Sequence, residues 1–460
     1  MSKRTKTKGM VTGKEKASYG LYFVGQNIFY MLIYMYMNTY FTDVGISALA
    51  VAGIALVVKV WDAINDPIFG GLIDKVRFKK GKFVPWLRIS LVGIPVATIL
   101  MFSIPSGVSP IVKVLWGSIA YILWDTAYTI CDVPIFGLVT TITSVQHERT
   151  SLNAIGRVCA MIAAMTVMIV IPSFRNMLGG WTSTIVMLSV LGAITMLPIC
   201  FTAKERVVPE AVEGSDVTLK DMFNYLKGNK YLLIYYGAFT IWGVCNINTA
   251  WGLYIARYCL QNEGIQSLTS IIGILPIILL GSLVPALTKK IDKFKLYYFA
   301  MCASLVMVVV RFIVGYENLG LYLLVTVLAA LPTGITSSVM YMFTPDCAEY
   351  GRYKTGIAAP GITFATQTFF VKLQTALNSA LAALMLGVIG FVEGEGAEQA
   401  AGFADKLFNT NLIMLAVGIA LSLLLLRKYK LNDHDVELMA KVNSGEMDRE
   451  EAEAQMINKY

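Results

Sequence analysis

Asp62 and Asp66 stand four residues apart in Val60-Trp61-Asp62-Ala63-Ile64-Asn65-Asp66-Pro67, inside an otherwise apolar stretch. On a helix that spacing puts both carboxylates on one face. A carboxylate near the bilayer centre costs about 2.5–3.5 kcal/mol on insertion scales. Two on one face also repel, so the pair persists only with something positive beside it. A cation that binds and leaves would make the chain a coupled transporter. A fixed base would make the pair structural, and Lys59 lies one turn before Asp62.

The other charges in apolar surroundings are Asp125, Asp132 and Arg157, then Arg311 and Lys372. Such groups face a bundle interior or a water-filled cavity. Ion pairing across helices is the alternative, most of all for Asp125 and Arg311. Uncharged polar residues point to a hydrated cavity: Gln26, Asn27 and Asn38, then Thr129, then Asn246, Asn248 and Thr249 beside Trp242 and Trp251. The run Thr363–Gln374, with Thr366, Gln367, Thr368 and Lys372, is too polar to face lipid. Hydroxyls, amides and aromatic rings are what a sugar needs: hydrogen bonds to its hydroxyls and a flat apolar surface for its C–H face.

The elements that must position these groups are membrane spans. The chain has 460 residues, 56% hydrophobic and only 15% charged, where soluble proteins carry about 25% charged residues. We count about twelve apolar runs long enough to cross a bilayer, roughly 18–42, 48–73, 85–104, 111–142, 152–172, 181–201, 231–256, 266–288, 296–315, 319–343, 358–391 and 409–426. The N-terminus is polar and basic, and its first apolar run is too long for a cleavable signal peptide. Lys and Arg crowd the N-terminal tail and the segments after spans 2, 8, 10 and 12, whereas 42–47, 106–110 and 315–319 have none. Positive loops stay in the cytoplasm, so both termini are expected inside. The net charge of +8 reflects this asymmetry, and leaves no folded basic face for nucleic acid.

The expected fold is an all-α membrane protein with twelve transmembrane helices in two six-helix pseudo-symmetric halves. The expected divisions are a cytoplasmic tail (1–17), a first bundle (18–201), a cytoplasmic linker (202–230), a second bundle (231–426) and a cytoplasmic tail (427–460). Ile73-Asp74-Lys75 after span 2 and Ile291-Asp292-Lys293 after span 8 echo each other at matching places, as paired transporter repeats do. The seven cysteines form no C-x-x-C pair, and His147 and His434 lie far apart. No nucleophile–base set or cofactor site is visible, so an enzyme is not expected.

These residues resemble the glycoside–pentoside–hexuronide:cation symporters, the melibiose permease-like branch of the major facilitator superfamily. The resemblance covers nearly the whole chain. It is densest in Tyr40-Phe41-Thr42-Asp43-Val44-Gly45, Trp61–Pro67 and Gly81-Lys82-Phe83-Val84-Pro85-Trp86, then in Tyr128–Pro134, Glu148-Arg149 and Arg157. The second half adds Asp346-Cys347-Ala348-Glu349-Tyr350-Gly351, Lys354-Thr355-Gly356, Gln367-Thr368 and Lys372.

The resemblance implies Na⁺, Li⁺ or H⁺ binding at Asp62, Asn65, Asp66 and Thr129, with Asp62 and Asp66 as the ligands of a metal ion if the coupling ion is Na⁺. It implies a sugar site of Gln26, Asn27, Tyr128, Asp132, Phe136, Arg157, Gln367, Thr368 and Lys372. Asp74, Arg77 and Lys80 resemble the fold's gate motif. The chain departs from melibiose permease at Gln26-Asn27, where that protein has a Lys-Asp pair, and at Phe136, where it has Trp. The implied partners are a sugar, a monovalent cation and membrane lipid, with no obligate protein partner. The implied location is the cell membrane. A uronide-specific symporter and a lysolipid symporter of the same fold are the alternatives.

Overall fold

The structure is a computed structural model that describes residues 11–76, 78, 81–143, 145–175, 177–206, 225–356 and 360–460. The side chains of Asp66, Asp74 and His147, and all of Arg77 and Lys80, lie outside the described residues. The described chain is helical apart from one isolated bridge between Phe78 and Gly81. Eight of its helices are long and apolar enough to cross a bilayer. They expose large apolar side chains such as Val92 and Ile313 (65% and 77% exposed), which in a multi-pass membrane protein meet lipid rather than water.

The chain divides into two compact units, Met1–Glu213 with Ala383–Ala400, and Gly214–Ala382 with Ala401–Tyr460. The first unit holds α1 (Gly13–Asp43), α2 (Ala48–Lys75), α3 (Val84–Met101), α4 (Pro110–Ile142), α5 (Gln146–Phe174), α6 (Trp181–Met196) and α7 (Ile199–Thr202). α1 packs on α5 and α6, and α4 packs on α2 and α3. A Cβ at Gly25 would stand 2.3 Å from Gly192 O, so α1 and α6 approach there by main-chain contact.

Sequence-local signals start these helices. Thr12 and Glu15 form a capping box on α1, and Ser47 accepts from Ala50 N at α2. α3 has no cap of its own. Glu205, just after α7, accepts the N–H groups of Lys82, Phe83 and Val84 at 2.8–2.9 Å instead. A carboxylate is well suited to a helix N-terminus.

The segment 383–400 was expected with the second bundle, and its contacts explain its place in the first unit. Gly394 N and Glu395 N donate to Thr42 O and Asp43 O, both at 2.9 Å. Glu393 caps Ala48 N at 3.0 Å. Arg175 bonds Glu395 at 2.7 Å and Asp43 at 3.3 Å, and the Trp181 indole N–H donates to Asp43 at 2.9 Å.

The second unit holds α8 (Lys230–Cys245), α9 (Asn248–Tyr254), α10 (Gly264–Leu287), α11 (Lys293–Val314), α12 (Leu319–Val339), α13 (Phe343–Thr355), most of α14 (Pro360–Val388), α15 (Phe403–Leu426), α16 (Asp433–Ser444) and α17 (Arg449–Gln455). The expected span 231–256 is interrupted at Asn246-Ile247, and α9 runs on into a π-helical turn, Ile255–Cys259. The break frees carbonyls that must find donors. Asn378 on α14 supplies one amide group to Gly243 O, Val244 O and Asn246 O at 2.9, 3.1 and 3.0 Å.

The tail beyond α15 is folded rather than loose. Asp292 accepts from Asp433 N, and Asp433 accepts from Lys293 N, so two helix starts cap each other. Asp435 is fully buried and accepts from Ile457 N, Asn458 N, Asn432 Nδ2 and the Tyr460 hydroxyl. Burial alone would raise its pKa. Those donors more than offset burial and hold the carboxyl below the ordinary carboxylate range.

Candidate cation and substrate sites

α2 and α4 lie side by side in the first unit. That contact brings the candidate cation residues together. Asn65 is fully buried and donates its amide to Thr129 Oγ1 at 2.7 Å. Thr129 is buried as well. The Asn65 carbonyl oxygen, Oδ1, is buried and has no hydrogen-bond donor among the described residues. A stranded amide oxygen costs about 1–3 kcal/mol, and it is a suitable ligand for a hard cation. Trp61 fixes the same crossing through its indole N–H to Thr126 Oγ1 at 3.0 Å.

Asp62 is also buried, one turn from Asn65, and Lys59 reaches it: Lys59 Nζ lies 3.3 Å from Asp62 Oδ2. The base one turn earlier in the sequence therefore pairs with one of the two acids. The ammonium also lies within electrostatic reach of Tyr121, Asp125 and Tyr30. A lysine is a compact charge on a flexible stem, so this is a movable counter-ion rather than a bidentate lock. The oxygen set of Asp62, Asn65 and Thr129 suits a monovalent hard ion or a proton, and contains no soft donor.

α1 meets the next turns of α4 at the candidate sugar residues. Gln26 donates from Nε2 to Asp132 Oδ1 at 2.5 Å and to the Tyr128 hydroxyl at 3.4 Å. Gln26 is buried, and its Oε1 has no donor among the described residues. The amide thus orients the acid and leaves an acceptor for an incoming hydroxyl. Asn27 instead donates to Phe23 O on its own helix at 2.9 Å. Phe136 meets the Phe23 ring edge-on at 5.5 Å and is half exposed, and Arg157 stands exposed on α5.

In the second unit, α14 carries Gln367, Thr368 and Lys372. Gln367 Oε1 accepts from Thr344 Oγ1 at 2.6 Å and from the Tyr236 hydroxyl at 3.1 Å. Thr368 and Lys372 are exposed. Sequence reasoning missed Tyr236 and Thr344, which face Gln367 from α8 and α13.

Residues 18–433 match the family described as MFS/sugar transport protein. The chain belongs to that family. Its members include the kind of protein the motifs resemble, the glycoside–pentoside–hexuronide:cation symporters. Similar curated proteins are YnaJ of Bacillus subtilis (strain 168), described as an uncharacterized symporter, and the isoprimeverose transporter of Lactiplantibacillus pentosus. YnaJ is 27% identical over 438 residues, 93% of this chain and 94% of its own length. The isoprimeverose transporter is 25% identical over 446 residues, 94% of this chain and 92% of its own length. The crystal structure of the nucleoside transporter NupG aligns at a TM-score of 0.63 with 15% identity, covering 91% of this chain and 100% of that one. At that identity NupG shows the shared fold alone.

Proposed function

We propose that this protein is a symporter of the cell membrane that carries a neutral glycoside into the cell, driven by Na⁺ or H⁺, with both termini in the cytoplasm. The observation that carries the reading is the buried Asn65 oxygen without a donor among the described residues, one turn from Asp62 and beside Thr129. Asp66 completes the cation set from the same helix face. Gln26, Tyr128 and Asp132 form the sugar clamp, and Asn27, Phe136 and Arg157 are further sugar residues of the first unit on the strength of the family resemblance. In the second unit Gln367, Thr368 and Lys372 are sugar residues on the strength of the family resemblance, and Asp74, Arg77 and Lys80 form a gate.

The coupling step follows from electrostatics. Without a coupling cation, Lys59 neutralises Asp62. An arriving cation takes that place, relieves the repulsion between Asp62 and Asp66, and frees the ammonium. Sugar affinity rises, and by linkage sugar tightens the cation by the same factor. The halves then exchange access, and both ligands leave inside.

Counterflow in proteoliposomes tests this with a panel of lactose, isoprimeverose and a glucuronide, with and without Na⁺ and across a pH gradient. Exchange of a glycoside that one cation stimulates is expected. Exchange indifferent to both Na⁺ and pH would overturn the coupled reading, and preference for the glucuronide would replace the neutral glycoside with an acidic one.

A further inference from the structure

Residues 203–206, which follow α7, form a strap that joins the ends of α1, α3 and α4 within the first unit. Glu205 uses both carboxylate oxygens. Its Oε2 accepts from Lys82 N at 2.8 Å, and its Oε1 accepts from Phe83 N and Val84 N at 2.9 Å. Three consecutive N–H groups converge there because the chain turns at Gly81, where φ is +116°. A Cβ on Gly81 would stand 2.5 Å from Glu205 Oε1, so a larger residue would push the carboxylate away. Gly81 also pairs with Phe78 across the isolated bridge. The next residue anchors the strap. Arg206 N donates to Thr141 O, at the end of α4, at 2.8 Å. The Arg206 guanidinium pairs with the buried Glu15 of α1, Nη1 to Oε1 at 2.9 Å and Nη2 to Oε2 at 3.1 Å.

We propose that Glu205 is a positioning residue for the gate: seated on the N–H groups of residues 82–84, it fixes the α2–α3 connection that carries Arg77 and Lys80. Hydrogen bonds from main-chain N–H groups to a carboxylate are charge-assisted and strong. With Glu205 in place, the last residues of the connection are ordered before the gate acts. Without it, the first turn of α3 loses its acceptor, and the connection must be ordered again each time the gate closes, at an entropic cost. Gln26, Tyr128 and Asp132 bond one another, so sugar affinity does not draw on the strap. The carboxylate therefore sets the rate at which access is exchanged rather than the strength of sugar binding. The proposal rests on the transport and gate reading above.

Two variants separate the carboxylate from its anchor. Glu205→Ala vacates the three N–H groups, and Arg206→Leu loosens the strap but keeps the carboxylate. Each is read as the maximal rate of sugar counterflow in proteoliposomes and as sugar affinity in purified protein. The sugar is whichever of lactose, isoprimeverose and methyl glucuronide the unsubstituted protein exchanges fastest. In Glu205→Ala the maximal rate falls at least about fivefold, while sugar affinity stays within about twofold. Millimolar formate, a small carboxylate that fits the vacated N–H groups, restores about half of the lost rate or more. Chloride at the same concentration does not. Arg206→Leu also slows counterflow, and formate leaves it slow because Glu205 is still present. Should Glu205→Ala not fold, Glu205→Gln, which keeps one acceptor oxygen, takes its place with the same split of rate from affinity. An unchanged maximal rate in either variant overturns the proposal. So does a loss in Glu205→Ala that formate leaves in place, which marks general damage, or relief by formate that is equal in both variants, which marks a salt effect. If the unsubstituted protein exchanges none of the three sugars, the transport reading fails first and the proposal falls with it. Coupling enters none of these readouts, so exchange indifferent to Na⁺ and pH defeats the symport reading and not this one.

Discussion

Lys59 Nζ lies 3.3 Å from Asp62 Oδ2, on the same helix and one turn away. The acid of the candidate cation site is thus held by an internal cation that an external one must displace. Replacing Lys59 with Gln removes that competitor. Na⁺ should then bind about tenfold more tightly, an increment of about 1.4 kcal/mol, read by calorimetry on purified protein. Weaker Na⁺ binding in Lys59→Gln would mean that the ammonium supports the site rather than competes for it.

Asn65 and Thr129 are expected to act on the cation before the sugar. Asn65→Leu removes the stranded oxygen, and Thr129→Val removes the hydroxyl that holds the amide in place. Each should weaken Na⁺ binding by roughly 10–100-fold while leaving sugar binding in the absence of cation near its original level. Parallel titrations of both ligands read the difference.

Gln26 and Asp132 form a neutral–acid pair at 2.5 Å. Gln26→Glu sets one carboxyl against another. Two ionised carboxylates repel strongly at that distance. At neutral pH the variant should lose sugar affinity by more than about tenfold, and recover part of it as acid lets the pair share a proton. A flat pH profile of sugar binding in the variant would remove the Gln26–Asp132 contact from the site.

The motifs of α2 and α4 were legible because chemistry and periodicity coincide there. Spacing put Asp62 and Asp66 on one helix face and brought Lys59 under suspicion, whereas the joining of Asn65 with Thr129 was implied by the family resemblance. The break at Asn246 was invisible because the residue that makes it tolerable, Asn378, is 132 positions away. The same holds for Arg175, whose partners Asp43 and Glu395 come from opposite ends of the chain. Local pattern reports which face a residue shares, whereas these contacts depend on how the helices pack.

Arg175 and Asp43 are buried, and their pairing makes a stability prediction. Arg175→Leu leaves Asp43 with the Trp181 indole as a remaining donor. Breaking a buried pair by removing one partner costs about 3–5 kcal/mol. The detergent-solubilised variant should therefore melt at a clearly lower temperature, and Asp43→Asn in the same background should recover part of the loss.

The tail should come loose in acid. Asp435 has its carboxyl held below the ordinary range by the Ile457 and Asn458 N–H groups and the Tyr460 hydroxyl, against the effect of burial. For a depressed carboxylate, the stabilising contribution is full above the unfolded pKa of about 3.9 and is lost as pH falls through the folded value. Amide protection relative to the intrinsic exchange rate in α16 and α17 should be unchanged from neutral pH down to about pH 5 and fall steeply below about pH 4. Asp435→Ala should show the lost protection already at pH 7.

The central claim is that the carboxylate of Asp62 seats an exchangeable ion that drives sugar uphill. The most direct measurement compares sugar accumulation with sugar counterflow in the same Asp62→Asn proteoliposomes, under an inward Na⁺ or proton gradient. Accumulation against a gradient should vanish while counterflow of the same sugar persists. Accumulation at the level of the unsubstituted protein would contradict the account.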